Sequence, residues 1–384
     1  MRARTFAAAL FTALTPQLDQ ALHVPHVSLG RTGAVAVDLN TGQTLYSRND
    51  TLSLLPASNE KLTVTFAALT ALGAGFRIET DVLLDADGDL ILKGYGDPTL
   101  SSAQLTVLAR QVRSAGITSV AGAILGDESW FDTHRTAAGW KASFYIEESP
   151  PLSALIVDRG TVGRSTSRDP ALAAAQLFRS ALVRAGVRIA GGAAHGNAGV
   201  DAQVVASIDS PPLAAIVHRM DVDSDNFYAE MLLKELGAVQ ADRGSTSAGA
   251  GVVTGLLAQA GIPLDGVRVV DGSGLSLLDR MTAATLASLL STMWNDLDLR
   301  LELVASLPVA GQTGTLHSRM RNTVAAGVVR AKTGTTSNAS ALSGFVGDRY
   351  VFSILQNGYP VSWAWARVAQ DRFAAALARA AEQP

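Results

Sequence analysis

A chain of 384 residues, 48% hydrophobic and 17% charged, is long enough for two domains with cores of their own and too apolar to be disordered. Its formal net charge of -3 offers no basic excess of the kind that nucleic-acid binding needs. The absence of cysteine excludes disulfides, thiol nucleophiles and cysteine-ligated metal centres.

Arg2 and Arg4 precede an apolar stretch over 5–14, a start that is similar to a secretory signal peptide, though an ordinary N-terminal helix would read the same way. No apolar run approaches the ~20 residues of a membrane helix, so no span is predicted. Residues 35–39 and 43–46 read as strands joined by the hairpin signal Asn40-Thr41-Gly42. A helix is expected from Pro56-Ala57-Ser58, with Leu62, Phe66, Leu69 and Leu72 on one face and Gly73 ending it. A second hairpin turns at Asp87-Gly88 between strands over 81–84 and 89–92. A helix over 105–115, a strand over 120–125, a break at Pro150-Pro151, a helix over 170–184 and a glycine-rich patch over 191–199 follow. Further helices are predicted over 213–219, 225–236 (stopped by Gly237), 248–260 and 282–294. Strands over 324–329, 342–346 and 350–355 precede a helical tail over 363–380. Strands near both chain ends, with helices between them, predict an antiparallel sheet with helical layers carrying an inserted smaller α/β domain. The insert would span 78–203, the host domain 21–77 and 204–384, and residues 1–20 the signal or N-terminal helix.

Three short strings carry chemistry. In Ser58-Asn59-Glu60-Lys61 the serine and lysine are three apart, on one face of a helix. A serine hydroxyl is a poor nucleophile until a base takes its proton, and a lysine can act as that base when its surroundings favour the neutral amine. Free backbone N–H groups at the helix start would favour a developing oxyanion. Ser224-Asp225-Asn226, at a helix start, offers a hydroxyl to relay a proton and an amide to hold a carbonyl. Lys332-Thr333-Gly334-Thr335, on a predicted strand, can grip a carboxylate, and Gly334 lets a ligand approach the strand closely. Taken singly, Ser58, Ser224 or Asp225 could be helix caps and Lys332 a solvated strand lysine.

Together and in this order the strings match a trio known from β-lactamases and penicillin-binding proteins. The chain resembles the class C low-molecular-mass penicillin-binding proteins, the D-alanyl-D-alanine carboxypeptidase/endopeptidase family. The resemblance also rests on Gly94-Tyr-Gly-Asp-Pro-Thr-Leu100, Trp130-Phe-Asp132, Pro151-Leu-Ser-Ala-Leu155 and Ser224-Asp-Asn-Phe-Tyr-Ala-Glu-Met231. Asp271-Gly-Ser-Gly-Leu-Ser276, Ser306-Leu-Pro-Val-Ala-Gly311 and Ser340-Ala-Leu-Ser-Gly344 extend it. It implies a penicillin-recognising serine transpeptidase fold with an insert, and a Ser58 acyl-enzyme formed on peptidoglycan stem peptides. It makes Lys61 the general base, Ser224 the proton relay and Asn226 the holder of the substrate amide. Lys332, Thr333 and Thr335 would bind the terminal carboxylate beside Gly334, and the N–H groups of Ser58 and Thr335 would form the oxyanion hole. β-Lactams would be covalent inhibitors. No cofactor, metal or nucleic-acid partner is implied. An enzyme of peptidoglycan acts outside the cytoplasmic membrane, so export and peripheral association with the envelope are expected.

Two departures stand out. Residues 158–169 are a short loop where relatives often carry a further subdomain, and Thr336 to Ser340 lacks a glycine that relatives commonly have; both bear on side-chain preference. No P-loop, H-E-x-x-H or G-x-S-x-G string is present. Asp127 and Asp132 could face a cationic substrate side chain or solvent. The nearest rival is a serine β-lactamase, which the lack of an E-x-x-x-N string disfavours. A D-amino-acid esterase or amidase would carry the same motifs, and so would a non-catalytic peptidoglycan-binding relative.

Overall fold

The structure, a computed structural model, describes residues 14–382. The chain forms two compact units. One holds the chain up to Thr70, Val217–Asn226 and the chain from Val253; the other holds Ala71–Ile216 and Phe227–Val252.

In the first unit β1 (Thr32–Asp38), β2 (Thr44–Arg48), β3 (Val329–Thr335), β4 (Ala339–Val346) and β5 (Tyr350–Asn357) make one antiparallel sheet in the order β3-β4-β5-β1-β2. Both chain ends therefore build it, as the strand pattern predicts. Side chains alternate across a strand, so each face takes different partners. Ala34, Ala36, Leu342, Phe352 and Ile354 share a core with Leu18 and Leu22 of the helical stretch 14–22 and with Phe373 and Leu377. The last two lie on the C-terminal helix, Trp363–Ala381. On the other face Val35 clusters with Ala283 and Ala287, and the Phe345 ring lies 4.9 Å from that of Trp294. Each large apolar side chain buried this way contributes roughly 1.5–3 kcal/mol. Helix α1 (Lys61–Leu72) follows the Ser58 segment, while α2 (Ala283–Asn295) and α3 (Trp363–Ala381) supply the helical layers of these two faces.

The basic-then-apolar start lies outside the described residues up to position 13. From 14 to 22 the chain is helical, and Asp19 accepts hydrogen bonds from Tyr46 Oη at 2.8 Å and Arg48 Nη2 at 2.6 Å. No helix among the described residues is long and apolar enough to cross a membrane.

Two local expectations are corrected, and one helix was not expected. Residues 324–328 form turns, with Gly327 at φ +76°, and the strand starts only at Val329. The helix expected to stop at Gly237 runs on as Asn226–Ala241. Gly237 is there for closeness, since a Cβ would lie 2.7 Å from the Arg243 carbonyl oxygen. A further helix, Leu297–Ser306, is capped by the Asp296 carboxylate, which accepts from the N–H groups of Asp298 and Leu299.

The second unit has a five-stranded mixed sheet, in the order Ala193–His195, Ile124–Asp127, Leu90–Gly94, Glu79–Leu84, Gln203–Asp209. The first three strands run parallel and the remaining pairs antiparallel. Leu105, Leu108 and Val112 of helix Ser102–Ser114 and Phe178 and Leu182 of helix Pro170–Arg184 pack on Val82, Leu92 and Ile124. Both helices start on explicit caps: Ser101 forms a capping box with Gln104, and Asp169 accepts from the Leu172 N–H. The loop after Val157 is a small hairpin, Thr161–Val162 against Ser165–Thr166.

Candidate active site

Ser58 lies in a single 3₁₀ turn, Ala57–Glu60, and Lys61 is the first residue of α1. The expected helical face is thus made at a 3₁₀-to-α junction, and it still brings Lys61 Nζ to 3.0 Å from Ser58 Oγ. Lys61 is fully buried. Its Nζ also donates to Asn226 Oδ1 at 2.9 Å and to the Ser273 carbonyl oxygen at 2.7 Å. As an ammonium, Lys61 thus has donors for all three acceptors, Ser58 Oγ among them.

The turn is pinned from several sides. Asn59 Nδ2 donates to the Lys332 carbonyl oxygen at 3.0 Å, which ties the turn to β3. Asn357 exchanges two hydrogen bonds with the Leu55 backbone. Ala57, just before the serine, has φ +47°, a costly conformation for a residue with a Cβ. Gly334 makes room for it: a Cβ there would lie 3.0 Å from both Ala57 Cβ and the Pro56 oxygen. The sequence suggests this glycine as the place for a ligand's close approach; what approaches it in the structure is the serine's own turn.

Ser224 has φ +57° and follows helix Leu213–Val222; Asn226 opens the next helix. Lys332, on β3 and fully buried, donates to Ser224 Oγ at 2.8 Å and to the Thr333 carbonyl oxygen at 3.0 Å. The structure thus gathers Ser58, Lys61, Ser224, Asn226 and Lys332 within the first unit: one hydrogen-bonded set joins Ser58, Lys61 and Asn226, a second joins Lys332 and Ser224, and Asn59 ties the serine's turn to the Lys332 backbone. Burial, with the like charge of Lys61, lowers the Lys332 pKa to about 7, and the carboxylate of Asp221 opposes that fall. Thr335 is exposed at the strand's end, whereas the nearly buried Thr333 donates to Thr315 Oγ1 at 2.7 Å.

Three acidic groups support this cluster, of which Asp221 and Asp279 lie outside the strings singled out in the sequence. Asp221 is fully buried, accepts from Thr65 Oγ1 at 2.7 Å and Ser306 Oγ at 3.3 Å, and has no donor at Oδ1. Burial raises its pKa to about 6 against the pull of Lys332 and Lys61. Asp271 shapes the loop that presents the Ser273 carbonyl, accepting from Ser273 Oγ and from the N–H groups of Gly274 and Ser276. Behind it, Asp279 Oδ1 accepts from the N–H groups of Val270 and Asp271, while no donor reaches its buried Oδ2. Burial and the charges of Asp271 and Glu60 raise its pKa well above the usual carboxylate range, and the neutral acid can donate to Asp271.

Asp127 and Asp132 both have protein partners. Asp127 is fully buried and accepts from the N–H groups of Ser129 and Ala198; Asp132 pairs with Lys234 Nζ at 2.5 Å. Among the described residues no group of three or more His, Asp or Glu could hold a metal ion.

The model of the D-Ala-D-Ala carboxypeptidase 3 (S13) family matches residues 14–168 and 163–380. The chain belongs to this family. It is 33% identical to a D-alanyl-D-alanine carboxypeptidase of Actinomadura sp. (strain R39), over 91% of this chain and 82% of that protein. It is 35% identical to a carboxypeptidase of Mycobacterium tuberculosis, over 84% and 74% respectively. Penicillin binding protein 4 from Haemophilus influenzae shares the fold, with TM-score 0.82 and 23% identity over 95% of this chain and 98% of that one. The chain is thus a serine D-alanyl-D-alanine carboxypeptidase of the class C low-molecular-mass penicillin-binding proteins, with the fold that the motifs implied. The two segments of the family match overlap at 163–168, at the short hairpin that follows Val157.

Proposed function

We propose that Ser58 is the nucleophile and that the reaction runs through its acyl-enzyme. The observation that carries the reading is the Lys61 amine, 3.0 Å from Ser58 Oγ while Asn226 Oδ1 and the Ser273 carbonyl accept from it. In the neutral amine the position facing Ser58 is the lone pair, aimed at the proton to be removed. Lys61 takes that proton as Ser58 Oγ bonds to the carbonyl carbon of the penultimate D-alanine. The Ser58 and Thr335 N–H groups stabilise the oxyanion. As the intermediate collapses, the C–N bond breaks and the departing amine takes a proton through Ser224 from Lys61. Asn226 also holds the substrate amide. Lys332 and Thr335 hold the terminal carboxylate; Thr333 takes part only by giving up its bond to Thr315. Water then hydrolyses the ester and restores Ser58.

The same steps split a crosslink when the departing amine belongs to a neighbouring stem peptide, which is the endopeptidase reaction. β-Lactams acylate Ser58 in place of the peptide; the Haemophilus influenzae protein has been solved with such a compound. The substrate lies outside the cytoplasmic membrane, so the enzyme is exported and can associate peripherally with the envelope. Digestion of purified muropeptides followed by mass spectrometry tests the reading. Loss of a single alanine identifies carboxypeptidase action, and splitting of dimers identifies endopeptidase action. Neither product forming, or either persisting in Ser58→Ala, contradicts it.

A further inference from the structure

Arg367, on α3, is half-buried, and its Nη2 donates to Thr335 Oγ1 at 3.3 Å. The guanidinium stacks 5.0 Å from the centre of the Trp363 ring, which fixes its direction. The carboxylate nearest in sequence, Asp371 one turn further along, is engaged by Arg319 at 2.6 Å. Arg367 has no ion pair among the described residues. A guanidinium only donates, so in its contact with Arg367 the Thr335 hydroxyl is the acceptor. The hydroxyl's own proton is directed elsewhere, and Thr335 is exposed at the open end of β3.

We propose that Arg367 is a specificity-determining residue, orienting the Thr335 hydroxyl and adding a permanent positive charge that selects ligands bearing a free terminal carboxylate. The proposal rests on the reading of Thr335 as a carboxylate-binding position and deepens it. A carboxylate oxygen that accepts from Thr335 lies about 2.7 Å from Oγ1, and so no farther than about 6 Å from the guanidinium. Lys332 is the deeper cation, and its charge is lost as pH rises, because burial and Lys61 lower its pKa to about 7. Arg367 stays charged throughout, so the two cations divide the task. Trp363 contributes by holding the guanidinium at Thr335, while Arg319 and Asp371 act on its charge with opposite signs.

The experiment compares benzylpenicillin with its methyl ester, which differ at the carboxylate alone. Acylation of the full chain is followed by intact mass, and the pre-covalent affinity is separated from the acylation rate. Arg367→Gln is expected to weaken affinity for benzylpenicillin roughly tenfold, leave the acylation rate unchanged and leave the methyl ester unaffected. Arg367→Lys should recover part of the loss, which separates charge from packing on Trp363. Equal losses on acid and ester would overturn the proposal in favour of a structural role, and so would no loss on either. Wild-type protein acylated by neither compound would overturn the Ser58 reading itself, an outcome distinct from an Arg367 variant that behaves like wild type.

Discussion

Lys332 Nζ donates to Ser224 Oγ at 2.8 Å, and the helix leading to that serine carries Asp221, a buried carboxylate acting on Lys332 and Lys61 alike. The site therefore sets one buried carboxylate against two buried lysines. Its charge balance decides whether Lys332 can attract an anionic substrate.

The sign of the pH dependence follows. Lys332 is cationic below its pKa of about 7 and neutral above it. Carboxylate binding should weaken as pH rises through that value, and kcat/KM for a D-Ala-D-Ala peptide should show a descending limb there. Bound carboxylate favours the cation, so the limb in kcat lies at higher pH. Asp221→Asn removes the negative charge that supports Lys332 and should move the kcat/KM limb to lower pH. At pH 7 it should cost roughly tenfold, recovered on acidification. A loss that is the same at every pH would contradict this account of Asp221.

Asp279 carries a second pH effect, on stability. Its folded-state pKa lies well above the ordinary value, because of burial and the charges of Asp271 and Glu60. The stability this group contributes is complete below the unfolded pKa of about 4 and is lost as pH rises through the folded value. Asp279→Asn cannot ionise, and its amide can still donate to Asp271. The variant should melt higher than wild type at pH 8 and gain nothing at pH 4. Thermal melts at the two pH values check this; a lower melting temperature at pH 8 would contradict it.

Gly274 is irreplaceable for a geometric reason. It has φ +81°, and a Cβ there would lie 1.8 Å from the Ala57 carbonyl oxygen. Gly274→Ala must push the 3₁₀ turn of Ser58 away from the Ser273 carbonyl that Lys61 uses. The expected cost is about 3 kcal/mol in stability, with acylation by a β-lactam slowed at least 100-fold in whatever protein folds. Denaturant unfolding and acylation kinetics would measure both.

The site was legible to the extent that it is local. Ser58 and Lys61 are three residues apart, and Ser224, Asn226 and Lys332 stand in short strings whose order is itself informative. Asp221, Asp279 and Arg367 were not legible, since their meaning lies in contacts with residues distant in sequence. The fold shows the same division. The hairpin of β1 and β2 is written in local turn chemistry. The glycine at 237 looked like a stop because nothing nearby in sequence reveals the approach of residues 243–249, which needs a residue without a side chain. Val324 to Val328 has a strand-like composition, yet hydrogen bonds from the N–H groups of Thr323, Ala326 and Val328 close successive turns there. The helix Leu297–Ser306 did carry a local signal, the capping Asp296, which apolar periodicity alone passed over.

The most direct test of the account is intact-mass analysis of the protein after incubation with benzylpenicillin, followed by peptide mapping. The account predicts one adduct with the full mass of the β-lactam, on the peptide that contains Ser58, and none on Ser58→Ala. An unmodified wild-type protein, or an adduct that persists in Ser58→Ala, would contradict it.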